Sequence, residues 1–394
     1  MTPMTNPSAH GPATTLIHTG ERLPAAASLT VPIYETSTFV FDSAAEVEAY
    51  AEGRATGYLY SRYDNPTVVA VETKLAAVDG AEAAIVFGSG MAAISTALFG
   101  LLQNGDEVVC CAAIYGGTFH ILNGLAARFG VSTRWASLDE FRSPEALIGP
   151  KTRMVWFESP TNPTLRVIDV RQVAAACTAA GVLSVADNTF ASPLNQPVLA
   201  MGVDISMQSV TKYLNGHSDV TGGVLSGRQG LIDRLAKTRR LLGGILDPQP
   251  AYALGRGMKT LALRVAAHNA NAMAIAEALE GHPALAAVHY PGLSSHPDHA
   301  IARAQMLGYG GMLCIDLAGG QAAAFRAFDR LQVIQRAASL GGVESLCSLP
   351  ILTSQFGLSD EGLARAGVTR GMMRISVGLE DAADLIDDLR QAIA

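Results

Sequence analysis

Charge is scarce in this chain, and cysteine scarcer still. Of its 394 residues, 16% are Asp, Glu, Lys or Arg, and five are cysteine. Lys and Arg number 28 against 35 Asp and Glu, a net charge of -7, so no basic field exists to draw nucleic acid or anionic lipid. Cys110, Cys111, Cys177, Cys314 and Cys347 have neither metal-ligand spacing nor the even count of a disulfide framework. That set fits a reducing, cytoplasmic setting, with adjacent Cys110 and Cys111 expected in a buried strand. Residues 1–20 lack the apolar core of a secretory signal. Residues 83–105 carry no charge and approach the ~20 residues that cross a bilayer. Gly88-Ser-Gly90 interrupts them, however, and predicts a strand, a glycine turn and a buried helix instead of a membrane span.

What is present is hydrophobic patterning: 49% of the residues are apolar, enough for two packed domains. Residues 1–64 read as an irregular arm, 65–256 as one domain and 257–394 as a second. From residue 65 onward, helical and strand-like stretches alternate. Strands are expected near 84–87, 107–111, 131–135, 154–158, 182–186, 205–209 and 222–226, with helices between most of them. This alternation predicts an α/β fold: a mostly parallel sheet covered on both faces, plus a smaller C-terminal α/β domain. Leu246-Asp-Pro-Gln-Pro250 marks the boundary, and a single long helix is expected after it, to about Leu279. In parallel sheets ligands sit beyond the carboxyl ends of the strands. Ser89, Tyr115, Asn162, Asp187 and Lys212 all fall just after a predicted strand, so one site can collect them.

The chemistry starts from Lys212 in Ser209-Val-Thr211-Lys212 and from Asp187 in Val185-Ala-Asp187-Asn. A lysine among small hydroxyl residues can form an imine with an aldehyde cofactor. An aspartate at a strand end can keep a pyridine nitrogen protonated. Together they suit pyridoxal 5'-phosphate (PLP). Gly88-Ser89-Gly90-Met91 opens a helix after a strand, where free N–H groups and the helix dipole favour a phosphate. Ser209 and Thr211 add hydroxyl donors. Tyr115, followed by two glycines, can lie flat on a ring, and Asn162 stands in a proline-bounded loop where it can donate to a cofactor oxygen or a carboxylate.

These motifs come in a familiar order. Tyr60-Ser-Arg62-Tyr-Asp-Asn65-Pro-Thr67, Gly88-Ser-Gly90-Met91, Tyr115-Gly-Gly, Glu158-Ser-Pro-Thr-Asn162-Pro, Asp187-Asn-Thr-Phe, Ser209-Val-Thr-Lys212, Ser339-Leu-Gly-Gly-Val-Glu344-Ser and Arg374-Ile-Ser-Val-Gly378 together resemble the trans-sulfuration (Cys/Met metabolism) family of PLP enzymes. The resemblance implies an aspartate-aminotransferase-like fold (PLP fold type I) in a homotetramer built from active dimers. It implies that Lys212 tethers PLP, Asp187 holds the pyridinium and Tyr115 stacks on the ring. Ser89, Gly90, Met91, Ser209 and Thr211 would bind phosphate, completed by Tyr60 and Arg62 from the neighbouring subunit. Arg374 would clamp the substrate carboxylate, helped by Asn162 and Ser339, with Glu344 and Tyr60 also near the substrate.

Within that family, methionine γ-lyases typically carry a cysteine two positions after the stacking tyrosine. Here Gly117 stands there, as in cystathionine γ-lyases and synthases. Leu352-Thr-Ser-Gln355 also departs from the Met-Thr-His that many members carry, at a point concerned with the distal end of the substrate. The expectation is γ-elimination from a sulfur-containing or γ-substituted L-amino acid. The alternatives are γ-replacement on an O-acyl-homoserine and a non-catalytic PLP-binding protein. Glu35, where members tend to be neutral, is a candidate contact for a cationic distal group. Ser209-x-x-Lys212 also matches penicillin-recognising hydrolases, but the Lys-Thr-Gly element is absent, since residues 259–261 read Lys-Thr-Leu. His289, His296 and His299 fall in a proline- and glycine-rich loop and are read as surface residues, with no metal site.

Overall fold

Parallel strands buried on both faces are near-continuously apolar, and the first half of the chain supplies several. In the computed structural model, which describes residues 10–21, 28–357 and 359–394, they assemble into a seven-stranded sheet. Its strands are β1 (Ala83–Phe87), β2 (Glu107–Cys111), β3 (Ser132–Ala136), β4 (Thr152–Glu158), β5 (Leu183–Asp187), β6 (Ile205–Gln208) and β7 (Gly223–Gly227). The order across the sheet is β1-β7-β6-β5-β4-β2-β3. β7 alone runs against its neighbours β6 and β1; the other pairings are parallel.

Alternate residues of each strand feed opposite cores, as the pleat requires. Met154 and Trp156 join the core on one face with Val108 and Cys110. Val155 and Phe157 join the other with Val109 and Cys111. The two adjacent cysteines are therefore both buried, on opposite sides of one strand. The uncharged stretch at 83–105 is strand β1, a turn, and the helix Gly90–Leu101. No helix among the described residues is long and apolar enough to cross a membrane.

A second, five-stranded sheet is formed by β8 (Leu285–His289), β9 (Met312–Leu317), β10 (Gln335–Arg336), β11 (Leu346–Ser348) and β12 (Met372–Ser376), in the order β10-β11-β12-β9-β8. Its pairings are antiparallel except for β10 with β11. Leu313, Ile315, Met373 and Ile375 from the middle strands pack beneath the helices Leu261–Leu279, Gly320–Arg330 and Ala382–Ile393.

Two expectations need correction. The long helix ending at Leu279 is two helices, Pro248–Met258 and Leu261–Leu279. The break is a tertiary effect. Gly257 lies so close to the turn after Lys212 that a Cβ there would sit 2.3 Å from the Asn215 carbonyl oxygen. Arg264, 3% exposed, fills the corner and donates to the carbonyls of Tyr213 (2.7 Å) and Gly257 (2.9 Å). The histidines also differ. His289 ends β8, His299 opens the helix His299–Gln305, and His296 is buried with its Nδ1 accepting from the Asp298 N–H at 3.2 Å. They are built into the fold, and no metal-holding cluster of His, Cys, Asp or Glu occurs among the described residues.

Candidate active site

The carboxyl ends of β1, β2, β4, β5 and β6 open on one cavity of about 580 Å³, bordered on the other side by Arg374 of β12 and by the segments 338–340 and 353–354. Lys212 enters it from the turn after β6. Its Nζ donates to Ser339 Oγ at 2.8 Å. Burial, reinforced by the positive charge of Arg374, brings its pKa down to about 8, which leaves a larger neutral fraction than an exposed lysine has.

Asp187 ends β5 and accepts the Thr189 N–H at 3.1 Å. Burial raises its pKa to about 6. Among the described residues no Lys, Arg or His lies within ion-pair distance of it. A buried carboxylate without a cation is costly. The protonated nitrogen of a pyridine ring would supply the missing charge.

At the other end, Ser89 caps the helix Gly90–Leu101, its Oγ accepting from the Ala92 N–H at 3.0 Å. The Gly90 and Met91 N–H groups at that helix start have no preceding turn to bond with, which suits a phosphate. Ser209 and Thr211 face the same region. Their hydroxyls lie 3.5 and 3.3 Å from the Gly222 carbonyl. Among the described residues, the cationic ones lining the cavity are Lys212 and Arg374.

Arg374, on β12, is buried. Its Nη1 donates to Asn162 Oδ1 at 3.0 Å and its Nη2 to the Ser339 carbonyl at 3.4 Å. Tyr115 stands at the mouth, 44% exposed, and its side chain bends back over position 117. A Cβ at Gly117 would lie 2.4 Å from Tyr115 Cε1 and 2.5 Å from Met91 Sδ, so glycine is what lets the ring occupy this place.

Ser89, Gly90, Met91, Tyr115, Asn162, Asp187, Ser209, Thr211, Lys212, Ser339 and Arg374 thus all line one cavity. Four other candidates do not. Tyr60 is 41% exposed and pairs through an isolated bridge with Thr38. The Arg62 guanidinium lies 5.7 and 5.0 Å from the Tyr60 and Tyr63 ring centres and donates to the Arg240 carbonyl at 2.6 Å. Glu35 is exposed on the arm, and Glu344 accepts from Ser218 Oγ outside the cavity.

Sequence reasoning missed Thr189 and Glu158. Thr189 bridges the two ends of the site, its N–H to Asp187 and its Oγ1 accepting from the Ser209 N–H at 2.9 Å. Glu158 lines the cavity at the end of β4; an acid closing the apolar run Met154–Phe157 was the available signal. Thr353 and Ser354, from the unusual Leu352-Thr-Ser-Gln355 stretch, line it too.

The model of the family described as Cys/Met metabolism PLP-dependent enzyme matches residues 13–394. The chain belongs to this family. It is 42% identical to an L-methionine gamma-lyase of Pseudomonas deceptionensis over 369 residues, 93% of this chain and 92% of that protein. It is 41% identical to a cystathionine gamma-synthase of Mycobacterium bovis over 385 residues, 97% of each. The crystal structure of cystathionine gamma-lyase from Lactobacillus plantarum complexed with L-serine superposes with a TM-score of 0.91 at 37% identity, covering 97% of this chain and 98% of that one. The protein is a PLP-dependent enzyme of the trans-sulfuration group, with the PLP fold type I architecture. The half-buried lysine, the cation-less aspartate and the open helix start fit that cofactor.

Proposed function

We propose that the enzyme carries out γ-elimination on a sulfur-containing or otherwise γ-substituted L-amino acid such as cystathionine or methionine, releasing a thiol or other leaving group, 2-oxobutanoate and ammonia. The observation that carries this reading is the convergence of Lys212, Asp187 and Arg374 on one cavity. Bound PLP supplies an aldehyde for covalent attachment and a protonated ring that accepts the electron pair released at the substrate Cα. The Asp187 carboxylate would hold the ring nitrogen's proton, Tyr115 would cover the ring, and the Gly90 and Met91 amides with Ser89, Ser209 and Thr211 would hold the phosphate.

Arg374 would grip the substrate carboxylate, steadied by Asn162 and by the Ser339 carbonyl. Lys212 Nζ, oriented by Ser339 Oγ, would take the Cα proton. Its lowered pKa suits that task, because a general base works best with a pKa near the working pH. Once it has given up that proton, Lys212 Nζ would be the base available to take a proton from Cβ, and the γ-substituent would leave with its bonding electron pair.

Among the described residues, a phosphate dianion at the helix start would have no cationic side chain facing it other than Lys212 and Arg374, which have other roles. This supports an active dimer, and a homotetramer built from two, in which the arm of residues 1–64 brings Tyr60 and Arg62 to the neighbouring subunit's phosphate. Glu35, on the same arm, would then face the neighbour's substrate and meet a cationic distal group.

The 41% identical cystathionine gamma-synthase supports γ-replacement on an O-acyl-homoserine as the second reading. A panel of γ-substituted amino acids, with products followed by NMR with and without cysteine or sulfide, separates the two. 2-Oxobutanoate formed without thiol supports elimination; product formed only with thiol supports replacement.

A further inference from the structure

Glu158 ends β4 directly opposite Asp187 on β5, so two carboxyl groups share one buried volume. Burial, and then the charge of Asp187, push the Glu158 carboxyl well above the usual carboxylate range. An acid in that position needs another reason to be there, and the hydrogen bond it makes among the described residues supplies it. Glu158 Oε2 accepts the backbone N–H of Tyr115 at 2.9 Å.

Tyr115 needs such an anchor. β2 has ended at Cys111, and the last sheet-like hydrogen bond of that strand is Ala112 N–H to the Ala136 carbonyl, at 2.8 Å. The next main-chain bond onward is within the helix start, from Phe119 N–H to the Tyr115 carbonyl. Between them the chain crosses the mouth of the cavity, and the Tyr115 ring is 44% exposed. Its place over position 117 depends on where its own Cα is held.

We propose that Glu158 is a positioning residue for Tyr115: its Oε2 fixes the Tyr115 main chain, and thereby the ring, by accepting the N–H and not by carrying charge. This rests on reading Tyr115 as the surface that covers the PLP ring. A neutral carboxyl or a carboxamide can accept the same bond, and either avoids two like charges side by side.

The test uses the PLP dissociation constant, the visible circular dichroism of the bound cofactor and the melting temperature of the cofactor-free protein. The variants are Glu158→Gln, Glu158→Leu, Tyr115→Ala and the Glu158→Leu/Tyr115→Ala double. Glu158→Leu is expected to weaken PLP about tenfold, the effect of one lost buried hydrogen bond, and to flatten the dichroic band. Tyr115→Ala does the same, the double variant is no worse than the weaker single, and Glu158→Gln keeps both signals. If Glu158→Leu does not fold, Glu158→Asp carries the expectation, because its carboxyl is one methylene too short to reach. Wild-type PLP binding in Glu158→Leu, losses that multiply in the double variant, or a Glu158→Gln as damaged as Glu158→Leu would each overturn the proposal. Unchanged PLP binding and dichroism in Tyr115→Ala would instead remove the ring-cover reading itself, and this proposal with it.

Discussion

Lys212 and Ser339 meet across the two sheets, the lysine amine donating a 2.8 Å hydrogen bond to the serine hydroxyl. Lys212 follows β6 of the first sheet, and Ser339 lies between β10 and β11 of the second. Replacing Ser339 with Ala frees the amine to sample other rotamers. Turnover is expected to fall about tenfold, as for loss of one hydrogen bond to a group that can be charged, with PLP still bound. Steady-state kinetics beside a visible spectrum checks both halves. A Ser339→Ala enzyme with wild-type kcat would mean the contact does not orient the lysine.

Lys212 itself is indispensable on this reading. Lys212→Ala should show no visible-region chromophore of the covalently held cofactor and no turnover. In the wild-type protein stripped of cofactor, the rate at which the chromophore forms should rise as the pH passes through about 8 and flatten above it, because there the buried amine loses its proton. A rise centred near the ordinary lysine value of about 10.4 would contradict the buried setting.

Asp187 gives a prediction in which stability and function part. Its folded-state pKa is raised to about 6 by burial, so the ionised form is the unfavoured one in the cofactor-free protein. Stability present below the unfolded pKa, near 3.9, is lost as the pH rises through the folded one. Above pH 6 the variant Asp187→Asn should therefore melt at a higher temperature than wild type when both lack PLP, while holding PLP more weakly. Calorimetry of the cofactor-free proteins at pH 7 decides the first part, and a lower melting temperature for the variant would refute it.

Arg374 presents a planar fork, and lysine cannot reproduce it. Arg374→Lys should raise KM for the amino-acid substrate more than tenfold, with a smaller effect on kcat. Equal effects on the two constants would argue that the guanidinium acts on the reacting atoms and not on the carboxylate.

Gly117 is tested by adding one methyl group. The new Cβ would fall 2.4 Å from Tyr115 Cε1 and 2.5 Å from Met91 Sδ, so something must move. Gly117→Ala is expected to displace the Tyr115 ring, which a changed dichroic band of the bound cofactor and a lower kcat would report. Unaltered dichroism would show that the ring has another place to go.

Much of the architecture could be read in advance because the strands announce themselves. Residues 154–157, Met-Val-Trp-Phe, are apolar on both faces, as only a covered sheet allows. The polar residues at strand ends then pointed to one edge. What could not be read was set by distant contacts. The break between the helices after Pro248 depends on Gly257 meeting the Asn215 carbonyl, and the loop that buries His296 is held through Asp298, which accepts from the Arg166 guanidinium and the Val167 N–H. Thr189 escaped notice because a threonine just past a strand has no distinctive pattern until its partners are known, and Glu158 because an acid ending an apolar run does not say which group it will bond. Tyr60, Arg62 and Glu35 lie outside this chain's own cavity, and the fold of one chain does not bring them in.

Arg374 stands on β12 between Met373 and Ile375, which both point into the apolar interior of the second sheet. Side chains alternate along a strand, so shifting β12 by one residue against β9 would drive the guanidinium into that interior and turn the two hydrocarbons toward the ligand. Such a misthreaded product would be too unfavourable to accumulate. Quality control over this end of the ligand-holding apparatus is thus exercised by the folding reaction itself, and a chain whose second sheet has formed has, by the same event, aimed its guanidinium.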